Sequence, residues 1–459
     1  GSVAPAVDVA APGSLPELHA SSGEGFQLGR SSEKVADRTA VRQRFRNPDG
    51  SVTDRFSLEP RFYKAGTELL PIDTNLSADG SRTAKTVSAG GKGLAATANW
   101  FSTKLGNLSQ GVTVGVGADA LTMTPVGAVS LPDPTSLSNV AVYPEVWPGV
   151  DLRYRVTPTG LKEEMVLKNP SVASSYSFSL TGATTTGPVV AGKGDVAAQF
   201  DGSLGLSGSL GERVMFAPPV VTGDGDGRIF TDAKPTLTGS GSSVSVAVDP
   251  AWLAAQPASE FPIVVDPTIT GRAGTGWASF AAGGGSVGDS YVGNSCVNPP
   301  TCSGYLWRSM ANFSHGELYS NFVQSATLHM AAGAVGSPSG TLGLVGWASS
   351  ADYDGAATYI NGQSSVFGIG AGTSFADVDI TETMRDMAEL DPGNYGLLGF
   401  AFYQTSGYYS LHRLGFSTID VTYESDGHVS NLSPASGSQT AHGRGPTLTA
   451  TVGNAGGAT

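Results

Sequence analysis

Apolar and polar residues alternate with a period of two along most of the chain from Phe45 onward. The segments "SVTDRFSLEP", "GVTVGVGA", "LRYRVTP", "SYSFSLTG" and "SSVSVAVDP" show this alternation between Gly, Pro and Asp turns. Successive side chains of a strand point to opposite faces of a sheet, so the pattern predicts half-buried β-strands. We therefore predict an all-β fold of tandem antiparallel β-sandwich domains, preceded by a flexible N-terminal arm.

Changes in this pattern divide the chain into four parts. Residues 1–44 are predicted to be a flexible arm, although the charged patch near its end is also compatible with a short helix or an ordered arm. Residues 45–268 form a β-rich region, with a division into two subdomains near residue 170 as an alternative. Residues 269–425 form a second β-sandwich. Residues 426–459 are interpreted as a linker and the start of a truncated immunoglobulin-like domain, because so short a segment cannot bury a core of its own. We expect the native polypeptide to continue beyond it.

One short helix interrupts the strands of the C-terminal half. In "DITETMRDMAEL", Ile380, Met384 and Met387 recur at helical spacing, and Asp379 with Glu382 resembles a capping box. The helix is expected to stop at Pro392-Gly393.

Composition limits the classes of partner that the chain is expected to bind. The formal net charge is −13, which disfavours binding to nucleic acid and to anionic membrane surfaces. No apolar run is long enough for a spanning helix, so membrane insertion is not expected. The Ala/Pro-rich start is typical of the segment that follows a removed secretory signal, and it predicts a secreted or cell-surface protein.

The chain has two cysteines, Cys296 and Cys302. With no other thiol present, the simplest interpretation is one disulfide that closes a short loop, which also fits an oxidising compartment. A metal site is the alternative, but the pair has no neighbouring Cys or His at the usual ligand spacing.

The adjacent acids Glu163 and Glu164 are the first candidates for chemistry. If "LRYRV" and "LKEEMVL" pair as a hairpin, Tyr154 lies opposite Glu163 and Arg153 lies opposite Glu164. The two carboxylates then point to opposite faces and cannot flank one glycosidic bond. We interpret Glu164 as a member of an exposed ion pair with Arg153 and, diagonally, Arg155, whereas Glu163 on the apolar face needs a hydrogen-bond donor.

Other candidate sites carry weaker patterns. "GDGDGR" and its surroundings offer three carboxylates that could bind calcium, Asp224, Asp226 and Asp232, but the ligand set is incomplete and "DG" is also a common turn sequence. No other cofactor is expected. "GGSVG" around Ser286 matches a nucleophile elbow, but we predict that it lies in a loop. His329 alternates outward from Ala326 and Leu328, which predicts a surface or structural role.

Aromatic residues cluster late in the chain. Core packing is the usual role of such residues in a sandwich, but an exposed aromatic face can stack on sugar rings. The candidates for a sugar platform are Trp347, Tyr353, Tyr408 and Tyr409.

"YPEVWPGVDLRYRVTPTGLKEEMVLKNP", followed by "FPIVVDPT", resembles the N-terminal β-rich region of large secreted actinobacterial proteins with RHS/YD repeats. "YLWRSMANFS", "QSATLHM", "ADVDITETMRDM", "NYGLLGF" and "TIDVTYE" resemble, in this order, a DNRLRE-type domain, which is similar to a carbohydrate-binding-module sandwich. The resemblance implies a non-catalytic extracellular region whose partners are the downstream domains of the same polypeptide, with any toxin activity encoded there. It identifies no active-site residue.

We therefore expect a structural or interaction module with no enzymatic activity of its own, which contacts its own downstream domains and, as a further candidate, a cell-surface glycan or protein. A carbohydrate-binding module is the main alternative. A glycosidase or lyase is a remote alternative, which requires acids distant in sequence to converge in a cleft.

Overall fold

The structure is a computed structural model. It describes residues 26–27, 29–57, 60–78, 93–188, 204–211, 213–224, 230–271, 277–281, 285–287, 291–294, 306–313, 318–319, 321–335, 340–349, 358–369, 373–389, 397–406, 411–414, 418–423, 429–433 and 449–452. Beyond residue 271, it describes side chains at 318–319, 321–329, 377–389 and 418–423.

Strands dominate the described residues up to Gly271. They are β1 (Ser32–Glu33), β2 (Arg42–Arg46), β3 (Val52–Ser57), β4 (Phe62–Ala65), β5 (Glu68–Pro71), β6 (Ser77–Ala78), β7 (Leu94–Ala96), β8 (Ser102–Leu105), β9 (Val112–Val116), β10 (Asp119–Val126), β11 (Thr135–Leu137), β12 (Val140–Trp147), β13 (Val150–Val156), β14 (Gly160–Leu167), β15 (Ser175–Thr181), β16 (Thr185–Pro188), β17 (Leu204–Leu206), β18 (Val214–Gly223), β19 (Thr236–Ser240), β20 (Ser243–Ala247) and β21 (Ile263–Gly271).

Strands also dominate the described residues beyond Gly271. They are β22 (Trp277–Ala281), β23 (Gly285–Val287), β24 (Tyr291–Asn294), β25 (Leu306–Phe313), β26 (Val323–Val335), β27 (Gly340–Ser349), β28 (Thr358–Ile369), β29 (Thr373–Asp379), β30 (Leu397–Ser406), β31 (Leu411–Leu414), β32 (Thr418–Tyr423), β33 (Val429–Ser433) and β34 (Thr449–Val452). The described residues also contain three short α-helices: α1 (Gly208–Gly211), α2 (Pro250–Ala255) and α3 (Thr381–Ala388). The predicted all-β class is confirmed.

Two eight-stranded antiparallel sheets form the first sandwich. One has the order β19-β20-β15-β10-β9-β8-β7-β6, and the other has the order β11-β12-β13-β14-β21-β18-β17-β16. Their inner faces share a single apolar core that runs from Leu76 to Ile269. The alternation seen in the sequence explains this packing, since Leu152, Tyr154 and Val156 of β13 are all fully buried on one face.

Strands on the two sides of residue 170 pair with each other. β15 pairs with β10, and β21 pairs with β14. The two halves therefore share both sheets, and the structure shows no division into subdomains near residue 170. The strand β21 also continues to Gly271, past the expected boundary at 268.

The third large sheet has fourteen strands and joins distant parts of the chain. Its main path runs β1-β2-β3-β32-β26-β31-β24-β25-β30-β27-β28. Three strands lie off this path: β22 pairs with β25 and with β23, and β29 pairs with β26. Residues 52–57 pair antiparallel with residues 418–423 over their whole length. The structure thus differs from the flexible arm expected over residues 1–44, because residues 32–33 and 42–44 lie in strands of this sheet, where their backbone groups find partners.

The helix α3 follows the predicted pattern. Met384 and Met387 are fully buried, and Asp379 accepts a hydrogen bond from the backbone N–H of Thr381 at 2.9 Å. It ends at Ala388, before the predicted stop at Pro392. The sequence analysis did not anticipate α1 and α2. No helix among the described residues is long and apolar enough to cross a membrane. The short pair of β33 and β34 lies in the segment interpreted as the start of a further domain.

Candidate functional site

The hairpin of β13 and β14 has the predicted register. Tyr154 pairs with Glu163, and Arg153 pairs with Glu164. Glu163 therefore faces the sandwich core and Glu164 faces the outer side of the sheet, since neighbouring side chains on a strand point in opposite directions. The predicted placement of these two acids on opposite faces of the sheet is confirmed by this register.

Glu163 is a buried acid with one hydrogen-bond partner among the described residues. Its side chain is 2% exposed, and the hydroxyl of Tyr154 donates a hydrogen bond to its Oε1. The ring of Tyr143 packs edge-on against Tyr154, with 6.0 Å between the ring centroids. Burial raises the pKa of Glu163 to about 8, with a further contribution from the negative charge of Asp266, although the Tyr154 hydrogen bond opposes the rise. At neutral pH the carboxyl group is therefore mostly protonated.

Glu164 lies in a charged cluster on the opposite face. The Nε of Arg153 donates to its Oε2, and the Nε of Arg155 lies 3.5 Å from its Oε1. The predicted partners are confirmed, but the predicted exposure is wrong, because Glu164 is only 6% exposed. Burial alone would raise the pKa of Glu164, but the positive charges of Arg153, Arg155 and Lys162 outweigh it and hold this pKa below its ordinary value.

A second charged cluster, mostly buried, connects four strands of the fourteen-stranded sheet. Asp420 of β32 accepts two hydrogen bonds from Arg55 of β3, at 2.6 and 2.7 Å. The other contact of Asp420 is with the Nε2 of His329 on β26, at 3.1 Å. The Nδ1 of the same imidazole lies 2.7 Å from Asp377 of β29. These residues form a continuous row from Arg55 to Asp377, which we call the polar row.

Neighbouring side chains extend the contact between residues 42–57 and β32. Thr53 and Thr422 share a hydrogen bond of 2.8 Å between their hydroxyls. On the other face, the carboxylate of Asp54 binds Arg44 at 2.8 Å and accepts a hydrogen bond from the Tyr423 hydroxyl at 3.0 Å. Charged and hydroxyl groups thus hold together segments that are more than 360 positions apart in sequence.

The shifts in the pKa of Asp420 and of His329 agree with these contacts. Burial would raise the pKa of Asp420, but hydrogen bonds and charge from Arg55 and His329 hold it below its ordinary value. Burial would lower the pKa of His329, but Asp420 and Asp377 outweigh this effect and raise it. The row therefore consists of charged groups that neutralise each other, with the imidazole lying between the two acids.

His329 lies on the predicted face of its strand, opposite to Leu328, but its environment differs from the surface position expected. It is 4% exposed and contacts two aspartates. The pairing of β26 with both β29 and β32 explains this burial. The burial was not predicted, because neither neighbouring strand can be inferred from the local sequence pattern.

The candidate calcium ligands do not meet in the described part of the chain. Asp224 is exposed and lies 3.1 Å from the Nη2 of Arg153, while Asp232 is exposed in a short 3-10 turn. Asp226 lies outside the described residues. Among the residues that the structure describes, no group of three or more His, Cys, Asp or Glu is placed to hold a metal ion.

The remaining candidates are located only in part. Cys296, Cys302, Tyr353, Tyr408 and Tyr409 lie outside the described residues. The backbone of Trp347 lies in β27, directly opposite Tyr359 of β28. Ser286 lies in the short strand β23 and not in a loop, because residues 285–287 pair with β22.

Sequence reasoning missed most of the polar row. Arg55 lies in "SVTDRFSLEP", which was recognised only as a strand, and Asp420 lies in "TIDVTYE", which was recognised as a strand only through the resemblance. The available signal was an acidic or basic residue inside an otherwise apolar and hydroxyl-rich strand, since such a charge needs an opposite charge when it is buried.

Comparisons with known proteins provide no family assignment. No family model matches the chain, and no curated protein matches it. Among solved structures, the isomalto-dextranase of Arthrobacter globiformis T6 complexed with panose matches at 8% identity and a TM-score of 0.17, over 58% of this chain and 37% of that one. The exo-β-1,3-galactanase of Phanerochaete chrysosporium with galactose matches at 8% identity and a TM-score of 0.16, over 80% of this chain and 100% of that one. This chain spans well under half the length of the first, and TM-scores this low carry no argument about function.

Proposed function

We propose that this chain is a non-catalytic structural and interaction module. The observation that supports the proposal is the polar row, in which two acids and two basic groups contact each other across four strands. Groups held in this way stabilise strand pairing and are not free to bind or protonate a substrate. Asp377 and Asp420 come from distant positions, but an imidazole lies between them, unlike the open pair of carboxylates that a glycosidase needs.

The sequence resemblance supports the context of this function. We propose a secreted or cell-surface location, near the N-terminal end of a large RHS/YD-repeat protein with toxin-like downstream domains. The complete reading frame tests this part: an array of YD repeats downstream is expected, and a frame that encodes only intracellular enzyme domains would contradict it.

Turnover assays test the absence of catalysis. The chain should show no hydrolysis of a panel of ester, glycoside and peptide substrates. The variants Asp420→Asn and Asp377→Asn are the matched pair to include, because they remove the two acids that converge in the structure. Turnover by the unmodified chain that either variant abolishes, while its fold is retained, would overturn the proposal.

Carbohydrate binding is the second candidate function. Tyr319 and Phe322 are exposed aromatic side chains, at 42% and 53%, and the guanidinium of Arg385 lies 5.4 Å from the ring centroid of Phe322. An exposed ring beside a planar hydrogen-bonding group is a suitable surface for a sugar. Two more aromatic residues, Trp347 and Tyr359, occupy opposite backbone positions in β27 and β28.

Affinity electrophoresis against cell-wall and plant polysaccharides tests this candidate. If it is correct, one polysaccharide should retard the chain, and Phe322→Ala should reduce the retardation. Leu137→Ala is the matched control, because Leu137 is also exposed but lies in the first sandwich. No retardation in any gel, or equal loss in both variants, would contradict carbohydrate binding at this surface.

A further inference from the structure

We propose that His329 is a pH-responsive latch, which holds the edge strand β29 against β26 when its imidazole is protonated and loosens that strand when the proton is lost. The proposal does not depend on the function proposed above.

The imidazole of His329 lies between two carboxylates. Both ring nitrogens lie within hydrogen-bond distance of a carboxylate oxygen, Nδ1 with Asp377 at 2.7 Å and Nε2 with Asp420 at 3.1 Å. Ionised carboxylates only accept hydrogen bonds, so both nitrogens must carry a proton for both contacts to be favourable. A neutral imidazole would leave one nitrogen lone pair facing a negative oxygen.

The two carboxylates are not equivalent. Asp420 is 6% exposed and is also held by Arg55, so it keeps a cationic partner when His329 is neutral. The Asp377 side chain is 50% exposed, and among the described ion pairs it contacts only His329. Loss of the imidazole proton therefore weakens the contact with Asp377 most, and that carboxylate can turn to water at little cost.

The position of Asp377 makes this contact relevant to a whole element. It lies opposite His329 in the ladder between β26 and β29, and among the described strands β29 pairs with β26 only. The helix α3 follows directly after β29. A weaker contact at Asp377 thus favours opening of an edge strand and the helix attached to it, which is the kind of local opening that precedes global unfolding.

The groups that face the imidazole define the sign of the response. They are Asp377 from β29 and Asp420 from β32, with Arg55 from β3 behind Asp420. The residue directly opposite His329 on β32 is Thr418, whose buried hydroxyl is neutral and has no hydrogen-bond partner among the described residues. Opening of β29 removes one of the two negative charges, so the open form holds the proton less tightly, and rising pH favours opening.

Hydrogen exchange across pH tests the latch on the complete chain. After correction for intrinsic exchange, the protection of backbone amides in residues 373–379 should fall as pH rises from 6 to 9. The pKa of His329, followed through its imidazole C–H signals in NMR spectra, should lie above the ordinary value of about 6.5. For every pH unit by which it exceeds the value in the open form, the opening equilibrium should increase about tenfold between the two limits of the titration.

Two variants separate the latch from general effects of pH. Asp377→Asn should remove most of the pH dependence of protection in residues 373–379. Glu382→Gln should retain it, because Glu382 is an exposed acid on α3 that pairs with Arg385 and not with His329. Equal pH dependence in Asp377→Asn and in the unmodified chain would overturn the proposal. A His329 pKa at or below 6.5 in the unmodified chain would also overturn it, even if the variant failed to fold.

Discussion

At the scale of single residues, burial and partners decide how an ionisable group behaves. Glu163 and Glu164 are adjacent and both buried, yet the pKa of Glu163 is raised to about 8 while that of Glu164 is lowered. Glu163 has a neutral hydroxyl partner and Glu164 has guanidinium partners. Strand alternation alone places them in these opposite environments.

Glu163→Gln should change the pH dependence of stability. Because the folded pKa of Glu163 lies above the unfolded value, its contribution is fully present below about pH 4.3 and is lost as pH rises towards 8. Gln resembles the protonated acid, so the difference in free energy of unfolding between variant and unmodified chain should shift in favour of the variant over this range. Urea unfolding at several pH values measures it, and a difference that does not change with pH would contradict the assignment.

Glu164→Gln should destabilise the first sandwich by about 1.5–3 kcal/mol, since it removes the buried carboxylate that binds Arg153 and leaves that guanidinium with the more exposed Asp224. Arg155→Gln is the matched control. Arg155 is 36% exposed and contacts Glu164 at 3.5 Å, so its removal should cost less than about 1 kcal/mol. Chemical denaturation of both variants measures the two losses. Similar losses would show that the cluster is not organised around the Arg153 contact.

At the scale of elements, the sequence predicted the features that depend on residues close together in the chain, namely one strand register and one helix. The alternation in "LRYRVTPTGLKEEMVL" was sufficient for the register of β13 with β14, because a shift by one residue would place every apolar side chain on the wrong face. The helix α3 followed from its helical spacing and its break. The burial of Glu164 could not be predicted in the same way, since it depends on Arg153, on Arg155 and on packing over the outer face, and an alternating pattern contains no information about that packing.

Gly160 gives a direct test of the close approach between β14 and β21. A Cβ atom at this position would lie 2.0 Å from the backbone oxygen of Ile269 on β21, and backbone atoms cannot move aside as a flexible side chain can. Gly160→Ala should therefore cost about 1–3 kcal/mol or more. At Gly106 the nearest atom is at 3.7 Å, so Gly106→Ala should have little effect. Thermal unfolding compares the two, and equal midpoints would contradict the close approach of β14 and β21.

At the scale of the whole molecule, the pairing of residues 42–57 with β32 is the feature that the sequence analysis did not find. Both segments were recognised as strands, but strand partners separated by most of the chain have no local signature. The charged residues within these strands were the sequence signal of that pairing. Arg55 pairs with Asp420 because each would be costly to bury alone.

Residues 52–57 complete the fourteen-stranded sheet by pairing with residues 418–423. A disulfide trap tests it most directly, because Thr53 and Thr422 lie opposite each other with their hydroxyls 2.8 Å apart. In the double variant Thr53→Cys with Thr422→Cys, oxidation should link the two positions, as shown by peptide mass mapping. The control pair, Thr53→Cys with Thr418→Cys, should not link, since Thr418 lies four residues along the strand, at roughly 13 Å. Efficient linking of the first pair and not of the second is the predicted result; no link in the first pair, or equal linking in both, would contradict the account.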